Sequence, residues 1–189
     1  LPDSGAAPSE RTEILIAYDD DFLYAAGRMY DREPDKVQAT SKKRDDMKLS
    51  NDWFCITLDT FVDRENALCF STNPAGLRLD MTIFNDAQGD FPADKNWNTF
   101  WDVATARDTE GWFAEIRIPL SSLRFQAAAG RVVMGLIATR YIARKNEAIT
   151  FPFIPPKWGF WGSFKPSRTQ PIELVGPAVS AEDVRGDIE

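Results

Sequence analysis

The stretch GWFAEIRIPLSSLRF, residues 111–125, changes its pattern at Pro119. Before the proline, apolar side chains fall on every second position, which is the period of a β-strand with one buried face. These alternating residues are Trp112, Ala114, Ile116 and Ile118. Proline cannot donate to a sheet ladder, so we expect the strand to end there and a short helical turn to follow over 119–123. Trp112 is therefore expected in the core.

Strand-like runs with the same character recur on both sides of this stretch. They cover 11–18, 22–30, 52–60, 66–73, 77–84, 100–107, 112–118, 132–142, 148–153 and 171–175. Turn signals such as DDD, NPAG and TEG separate them, while helix is limited to one or two turns at 33–40 and 119–123. Many short strands between turns predict an all-β fold, an antiparallel β-sandwich.

The length of 189 residues fits one domain. We expect a flexible N-terminal segment at 1–10, the sandwich at 11–176 and a C-terminal tail at 177–189. The chain begins with Leu1 and lacks the basic start and apolar core of a signal peptide. It is accordingly expected to be a piece of a longer protein.

Charge and composition exclude several classes of function. With 22 basic and 29 acidic side chains the net charge is -7, which disfavours nucleic-acid binding. No apolar run approaches the roughly 20 residues that span a bilayer, so direct membrane insertion is not expected. Histidine is absent, which excludes Ser-His and Cys-His nucleophile pairs and histidine-bound zinc.

Alternation within two of the runs assigns their faces. Phe54, Ile56 and Leu58 point one way in the run 52–60, and Leu77, Leu79, Met81 and Ile83 form the apolar face of 77–84. The opposite positions predict a wet face of mixed character, which includes Cys55 and Cys69. A hairpin turning near Val62 would place these cysteines roughly opposite each other. A cross-strand disulfide and two free thiols both remain open.

The order of the motifs resembles the carbohydrate-binding module family 9-like domain. The motifs are YDDDFLYAAGRMYD, LDTFVDRENA, NPAG followed by Asp80, TEGWFAEIRIPLSSLRF and RYIARKNEA, which together span roughly residues 10–165. The branch that they resemble lies at the amino-terminal side of bacterial envelope proteins with a large β-rich domain. The D-G-x-L-D-E-x-x-W segment usual in the family is not found before Arg11. The resemblance implies a jelly-roll-like β-sandwich of the carbohydrate-binding-module type, a structural calcium ion and glycan binding.

The acidic triplet Asp19, Asp20 and Asp21 is the candidate metal site. It lies on the expected turn between the first two strands, and calcium takes oxygen ligands from such loops. Aspartate also favours turns for its own hydrogen-bonding reasons, so a plain turn is the alternative.

Four of the six tryptophans lie in two loop-like segments and predict a sugar platform. Trp97 and Trp101 lie in NWNTFWD, and Trp158 and Trp161 lie in the Pro- and Gly-rich PPKWGFWGSFK. Indole rings offer flat apolar faces on which sugar rings stack, and Asn98 and Asp102 are polar groups close by. Packing at the end of a sandwich is the alternative for each ring.

The sequence therefore predicts a non-catalytic carbohydrate-binding domain of a bacterial envelope or secreted protein, in the periplasm, associated with the outer membrane, or extracellular. Its expected partners are an oligo- or polysaccharide and a C-terminal β-rich domain of the same chain. One alternative is a structural domain that docks onto the rest of its own polypeptide without binding free sugar. A second is a carboxylate-based hydrolase that uses a pair from Glu115, Glu147, Asp80 and Asp102.

Overall fold

The computed structural model describes residues 7–128 and 130–175. Within them the chain forms twelve β-strands, and its helical segments are short 3-10 turns. The strands are β1 (Thr12–Tyr18), β2 (Phe22–Tyr30), β3 (Trp53–Asp59), β4 (Ala67–Thr72), β5 (Arg78–Ile83), β6 (Ala93–Asp94), β7 (Asp102–Asp108), β8 (Gly111–Pro119), β9 (Ala127–Ala128), β10 (Arg131–Ile142), β11 (Glu147–Phe151) and β12 (Gln170–Val175). The 3-10 turns are Pro34–Lys36, Asn85–Ala87, Leu120–Ser122, Ala143–Lys145, Pro156–Trp158, Phe160–Phe164 and Pro166–Arg168.

The strands form two antiparallel sheets. The smaller sheet has the order β1-β2-β8-β7, and the larger has the order β11-β10-β3-β4-β5-β6. Strand β10 is the longest, with 12 residues, and it also pairs with β9 and β12. Because β3 occupies one edge of β10, β11 and β12 share successive parts of the other edge. The all-β sandwich predicted from the sequence is confirmed.

The main core lies between the sheets and includes the opening stretch. Trp112, Ile116 and Ile118 are completely buried, whereas Glu115 and Arg117 between them are exposed. Strand β8 ends at Pro119 and a 3-10 turn follows, as predicted. At its start, Gly111 has φ +148°, and a side chain there would meet the Met29 carbonyl oxygen at 2.2 Å.

A second apolar cluster covers the other face of the larger sheet, which we call the outer face. It contains Trp53, Cys55, Cys69, Leu79 and Met81, together with Phe164 from the chain after β11. The predicted wet face is therefore wrong for Trp53, Cys55 and Cys69, which are 7%, 4% and 0% exposed. Alternation separates the two faces of a strand, but a later segment folds back over this one and buries it.

The strand register also corrects the prediction that the polar positions of runs 52–60 and 77–84 share one face of the sheet. Thr57 pairs with Cys69 and Cys69 pairs with Met81, so these three side chains share the outer face. Asp80 pairs with Phe70 and lies on the inner face, where it is fully buried. The polar positions of β3 and β5 thus lie on opposite faces of the sheet.

The predicted flexible segment and tail extend beyond the described residues, which exclude 1–6, 129 and 176–189. Glu10, placed in the flexible segment by the sequence, is 5% exposed and accepts a hydrogen bond from Lys145 at 2.5 Å. None of the described residues forms a helix with the length and hydrophobicity needed to cross a bilayer.

Candidate functional site

A cavity of about 460 Å³ opens on the outer face of the larger sheet. Its floor is a row of residues that are paired across four adjacent strands, β10, β3, β4 and β5. In order across the sheet they are Thr139, Cys55, Ser71 and Leu79. Directly paired residues project to the same side of a sheet, so the strand register alone assembles this floor.

Two aromatic side chains form one wall of the cavity. Trp53 and Tyr141 are paired between β3 and β10, one row away from the floor. The Trp53 indole donates a hydrogen bond to the Lys48 carbonyl at 2.8 Å, and the Tyr141 hydroxyl donates to Asn146 at 3.0 Å. Both rings are therefore held in place before any ligand arrives.

The opposite side of the cavity is formed by residues 154–168, which we call the roof segment. Pro156, Gly159, Phe160, Ser163 and Phe164 line the cavity from this side. Phe160 is 49% exposed and lies at the mouth. Met47 and Leu49, from the chain before β3, and Asn146 and Ala148, around the start of β11, complete the lining.

The far end of the roof segment is anchored to the loop after β5. Lys165 contacts Asp86 at 2.7 Å, and the Ser167 hydroxyl donates to the same carboxylate at 2.9 Å. Burial raises the pKa of Asp86, but the hydrogen bonds from Lys165 and Ser167 outweigh it and the pKa is lowered. The carboxylate is therefore ionised at neutral pH and holds the roof segment over the sheet.

The cavity combines aromatic surface with a few neutral polar groups. Thr139 is 8% exposed, and its hydroxyl has no hydrogen-bond partner among the described residues. Ser71 and Ser163 add two further hydroxyls, and none of the described residues that line the cavity is charged. A buried unpaired hydroxyl is costly, so this arrangement favours an uncharged ligand that brings its own hydrogen-bonding groups.

The structure does not bring the four predicted tryptophans together. Trp97 and Trp101 pack on Phe70 in the core between the sheets, whereas Trp158 and Trp161 belong to the roof segment on the outer face. The larger sheet separates the two pairs. Trp101 is 2% exposed and offers no ring face to a ligand, so its predicted place in a sugar platform is wrong.

The roof tryptophans border the cavity without lining it. Trp158 is 38% exposed, and cationic groups of Lys157, Lys165 and Arg168 lie 5.0–5.3 Å from the centre of a Trp158 ring. Trp161 packs edge-on against Phe160 with the ring centres 5.3 Å apart. Trp161 therefore supports the aromatic residue at the mouth of the cavity.

The polar residues predicted beside Trp97 and Trp101 have partners within the chain. Asn98 accepts a hydrogen bond from Arg44 at 3.0 Å, and Asp102 accepts one from Arg117 at 2.8 Å. Both lie away from the cavity.

The acidic triplet forms a hydrogen-bonded turn. One oxygen of Asp19 accepts the backbone N–H groups of Asp21 and Phe22, and the other accepts the Tyr24 hydroxyl at 2.8 Å. Asp20 is exposed. The described part of the chain contains no cluster of three or more His, Cys, Asp or Glu side chains able to hold an ion. The calcium ion expected from the resemblance stays a prediction.

Sequence reasoning missed the residues that line the cavity, above all Thr139, Tyr141 and Phe160. A signal for the first two was present, because they occupy the phase of β10 opposite to the core residues Met134 and Leu136. Their meeting with Cys55 and Ser71 depends on pairing between distant strands, which no local pattern gives.

Comparison with known proteins finds similar solved structures, whereas no family model and no curated sequence matches the chain. A carbohydrate-binding module family 9 from Caldicellulosiruptor kristjanssonii in complex with cellotriose is similar, with 18% identity and a TM-score of 0.60 over 98% of this chain and 84% of that chain. The same kind of module from that organism in complex with glucose has 19% identity and a TM-score of 0.60, over 92% of this chain and 81% of that chain.

A third similar structure is a Bacteroides uniformis protein provisionally assigned to carbohydrate binding. It has 11% identity and a TM-score of 0.57, over 75% of this chain and 67% of that chain. At these identities the likeness concerns the fold. The family 9-like sandwich predicted from the order of the motifs is confirmed.

Proposed function

We propose that this chain is a non-catalytic carbohydrate-binding domain that takes an uncharged sugar in the outer-face cavity. The observation that carries the proposal is an uncharged cavity lining that combines the aromatic rings of Trp53 and Tyr141 with neutral polar side chains, Thr139 among them. A sugar presents C–H faces to aromatic rings and hydroxyls to polar groups, and this cavity offers both kinds of surface. The volume of about 460 Å³ is in the range of small-ligand sites.

The fold supports the proposal independently of the cavity. The two modules from Caldicellulosiruptor kristjanssonii were solved in complex with cellotriose and glucose, both of them uncharged sugars. The resemblance of the motifs to the branch from envelope proteins favours a periplasmic, outer-membrane-associated or extracellular site for this chain. It also favours a C-terminal β-rich domain as a partner in the same polypeptide.

The positions of the carboxylates argue against hydrolysis in the cavity. Asp80 is bonded to Arg44 and to the backbone N–H of Thr99, and Glu147 accepts a hydrogen bond from the Ser9 backbone N–H at 2.8 Å. None of the described residues that line the cavity is a carboxylate. A glycosidase needs two such groups on either side of the scissile bond.

Calorimetric titration with glucose, cello-oligosaccharides and a panel of other neutral and acidic sugars tests the proposal. Phe160→Ala removes the aromatic side chain at the mouth and should weaken binding by about tenfold for each 1.4 kcal/mol lost. Phe100→Ala is the matched control, because Phe100 is 87% exposed and does not line the cavity. If the folded protein binds no neutral sugar, or both variants bind equally well, the proposal is wrong.

One observation favours the alternative of a docking domain. Leu49, Phe153 and Phe160 are 57%, 63% and 49% exposed, so apolar surface lies at and near the mouth of the cavity. Contact with another domain of the same polypeptide would cover it. A domain that binds its own C-terminal neighbour but no free sugar would support this alternative.

A further inference from the structure

The two cysteines of the chain lie side by side on the outer face, where Cys55 forms part of the floor of the cavity. Cys55 on β3 is paired with Ser71, and Cys69 on β4 is paired with Thr57, so the cysteines are diagonal neighbours and not directly opposite as the hairpin reasoning predicted. Their Sγ atoms lie 3.0 Å apart, and both thiols are free. A disulfide requires an S–S distance of about 2.05 Å, so the sulfurs need to approach by only about 1 Å.

The two thiols differ in their access to the cavity. Cys55 lines it and is 4% exposed, whereas Cys69 does not line it and is 0% exposed. A small reagent that enters the cavity therefore reaches the sulfur of Cys55 first.

The electrostatic surroundings of the pair also favour Cys55 as the thiol that reacts first. Burial raises the pKa of the Cys55 thiol, but hydrogen bonds with Cys69 and Ser71 outweigh it and the pKa is lowered. Burial and the adjacent Cys55 sulfur raise the pKa of Cys69 well above its ordinary value. Since the thiolate is the reactive form, Cys55 is the attacking member of the pair.

We propose that Cys55 and Cys69 are an oxidisable pair, which closes to an intramolecular disulfide when a small uncharged disulfide such as bis(2-hydroxyethyl) disulfide enters the cavity. The Cys55 thiolate attacks one sulfur of the oxidant, forming a mixed disulfide and releasing one mercaptoethanol thiolate. Cys69 then loses its proton and attacks the Cys55 sulfur, which releases the second mercaptoethanol thiolate. The chain loses two electrons and two protons, and the oxidant becomes two thiols.

The disulfide would tie β3 to β4 beneath the ligand. It would close a loop from residue 55 to residue 69, which restricts the unfolded chain and stabilises the folded one. The oxidised protein should therefore melt at a higher temperature than the reduced protein.

Intact-mass analysis of the wild-type protein tests the proposal. The folded protein is incubated with bis(2-hydroxyethyl) disulfide, then unfolded and alkylated with iodoacetamide. We expect no alkylated thiol and a mass lower by two hydrogens, whereas a sample treated with reductant should carry two adducts. Two adducts after prolonged oxidation, or a mercaptoethanol adduct that persists on the wild-type chain, would overturn the proposal.

Two single substitutions test the order of attack. Cys69→Ser should stop at a mixed disulfide with one mercaptoethanol on Cys55. Cys55→Ser should leave Cys69 unreactive until the protein is unfolded with urea. Equal reactivity of the two folded variants would contradict the assigned roles. The wild-type mass measurement decides whether the disulfide forms even if a variant fails to fold.

Discussion

Replacing Thr139 with valine should change stability and sugar binding in opposite directions. The buried hydroxyl of Thr139 has no partner among the described residues, and a buried unpaired polar group costs about 1–3 kcal/mol. Thr139→Val keeps the branched shape and removes the hydroxyl, so the free energy of unfolding without ligand should rise by about 1 kcal/mol. A sugar that hydrogen-bonds to the hydroxyl should lose about 0.5–1.5 kcal/mol of binding energy, which is about a two- to tenfold weaker affinity.

Thr72→Val is the matched control for this prediction. Thr72 is also fully buried on a strand of the larger sheet, but its hydroxyl donates to the Asn73 carbonyl at 3.3 Å. The same change there breaks a hydrogen bond and should lower the free energy of unfolding by about 1 kcal/mol, with sugar affinity unchanged. Urea denaturation and calorimetric titration measure both quantities. If Thr139→Val destabilises the protein as much as Thr72→Val does, or binds sugar as well as the wild type, our reasoning about the cavity is refuted.

Four further predictions concern stability. Trp112→Ala should cost about 3–5 kcal/mol because the side chain is completely buried, while Trp158→Ala should cost clearly less; equal losses in urea denaturation would contradict their assigned places. Burial raises the pKa of Asp52 above its ordinary value of about 3.9, so the charged carboxylate lowers the stability of the folded protein at higher pH. Asp52→Asn should therefore stabilise the protein at pH 7, and the gain should fade as the pH falls through the raised pKa. Burial raises the pKa of Asp31, but hydrogen bonds from Arg144 outweigh it and the pKa is lowered. Asp31→Asn should therefore lower the free energy of unfolding at pH 7, and its difference from the wild type should shrink as the pH falls through the lowered pKa. Urea denaturation from pH 7 to pH 3 measures the effects of both substitutions. If calcium binds only the folded form, a chelator should lower the melting temperature, because calcium at a hundredfold excess over its Kd stabilises the folded form by about 2.7 kcal/mol. An unchanged melting temperature would show that no calcium ion stabilises this domain.

The strands were predictable because their information is local. Alternation in WFAEIRI identifies β8, and its limits agree with the structure to within one residue at each end. Strands β6 and β9 were missed because two residues are too short to show a period. Within single strands, the apolar phase also identified the buried side chains of the main core correctly, such as Phe54 and Ile56.

The candidate site was not predictable in the same way, because it depends on contacts between distant segments. Tryptophans in Pro- and Gly-rich loops look alike in sequence, yet Trp101 is buried between the sheets and Trp158 lies on the roof segment. The floor requires the register of four strands, and the roof requires that residues after β11 fold back over β3. Neither follows from periodicity.

The contrast between floor and roof bears on how new specificities arise in such a domain. Every floor residue lies in a strand whose pairing also holds the main core, so a change of backbone there disturbs the whole sandwich. The roof segment contains no strand, and 3-10 turns and the anchor at Asp86 hold it in place. Its length and composition can therefore vary without shifting any strand pairing. Libraries that randomise residues 155–163 and keep the buried Phe164 on an unchanged floor offer a direct route to altered ligand selection.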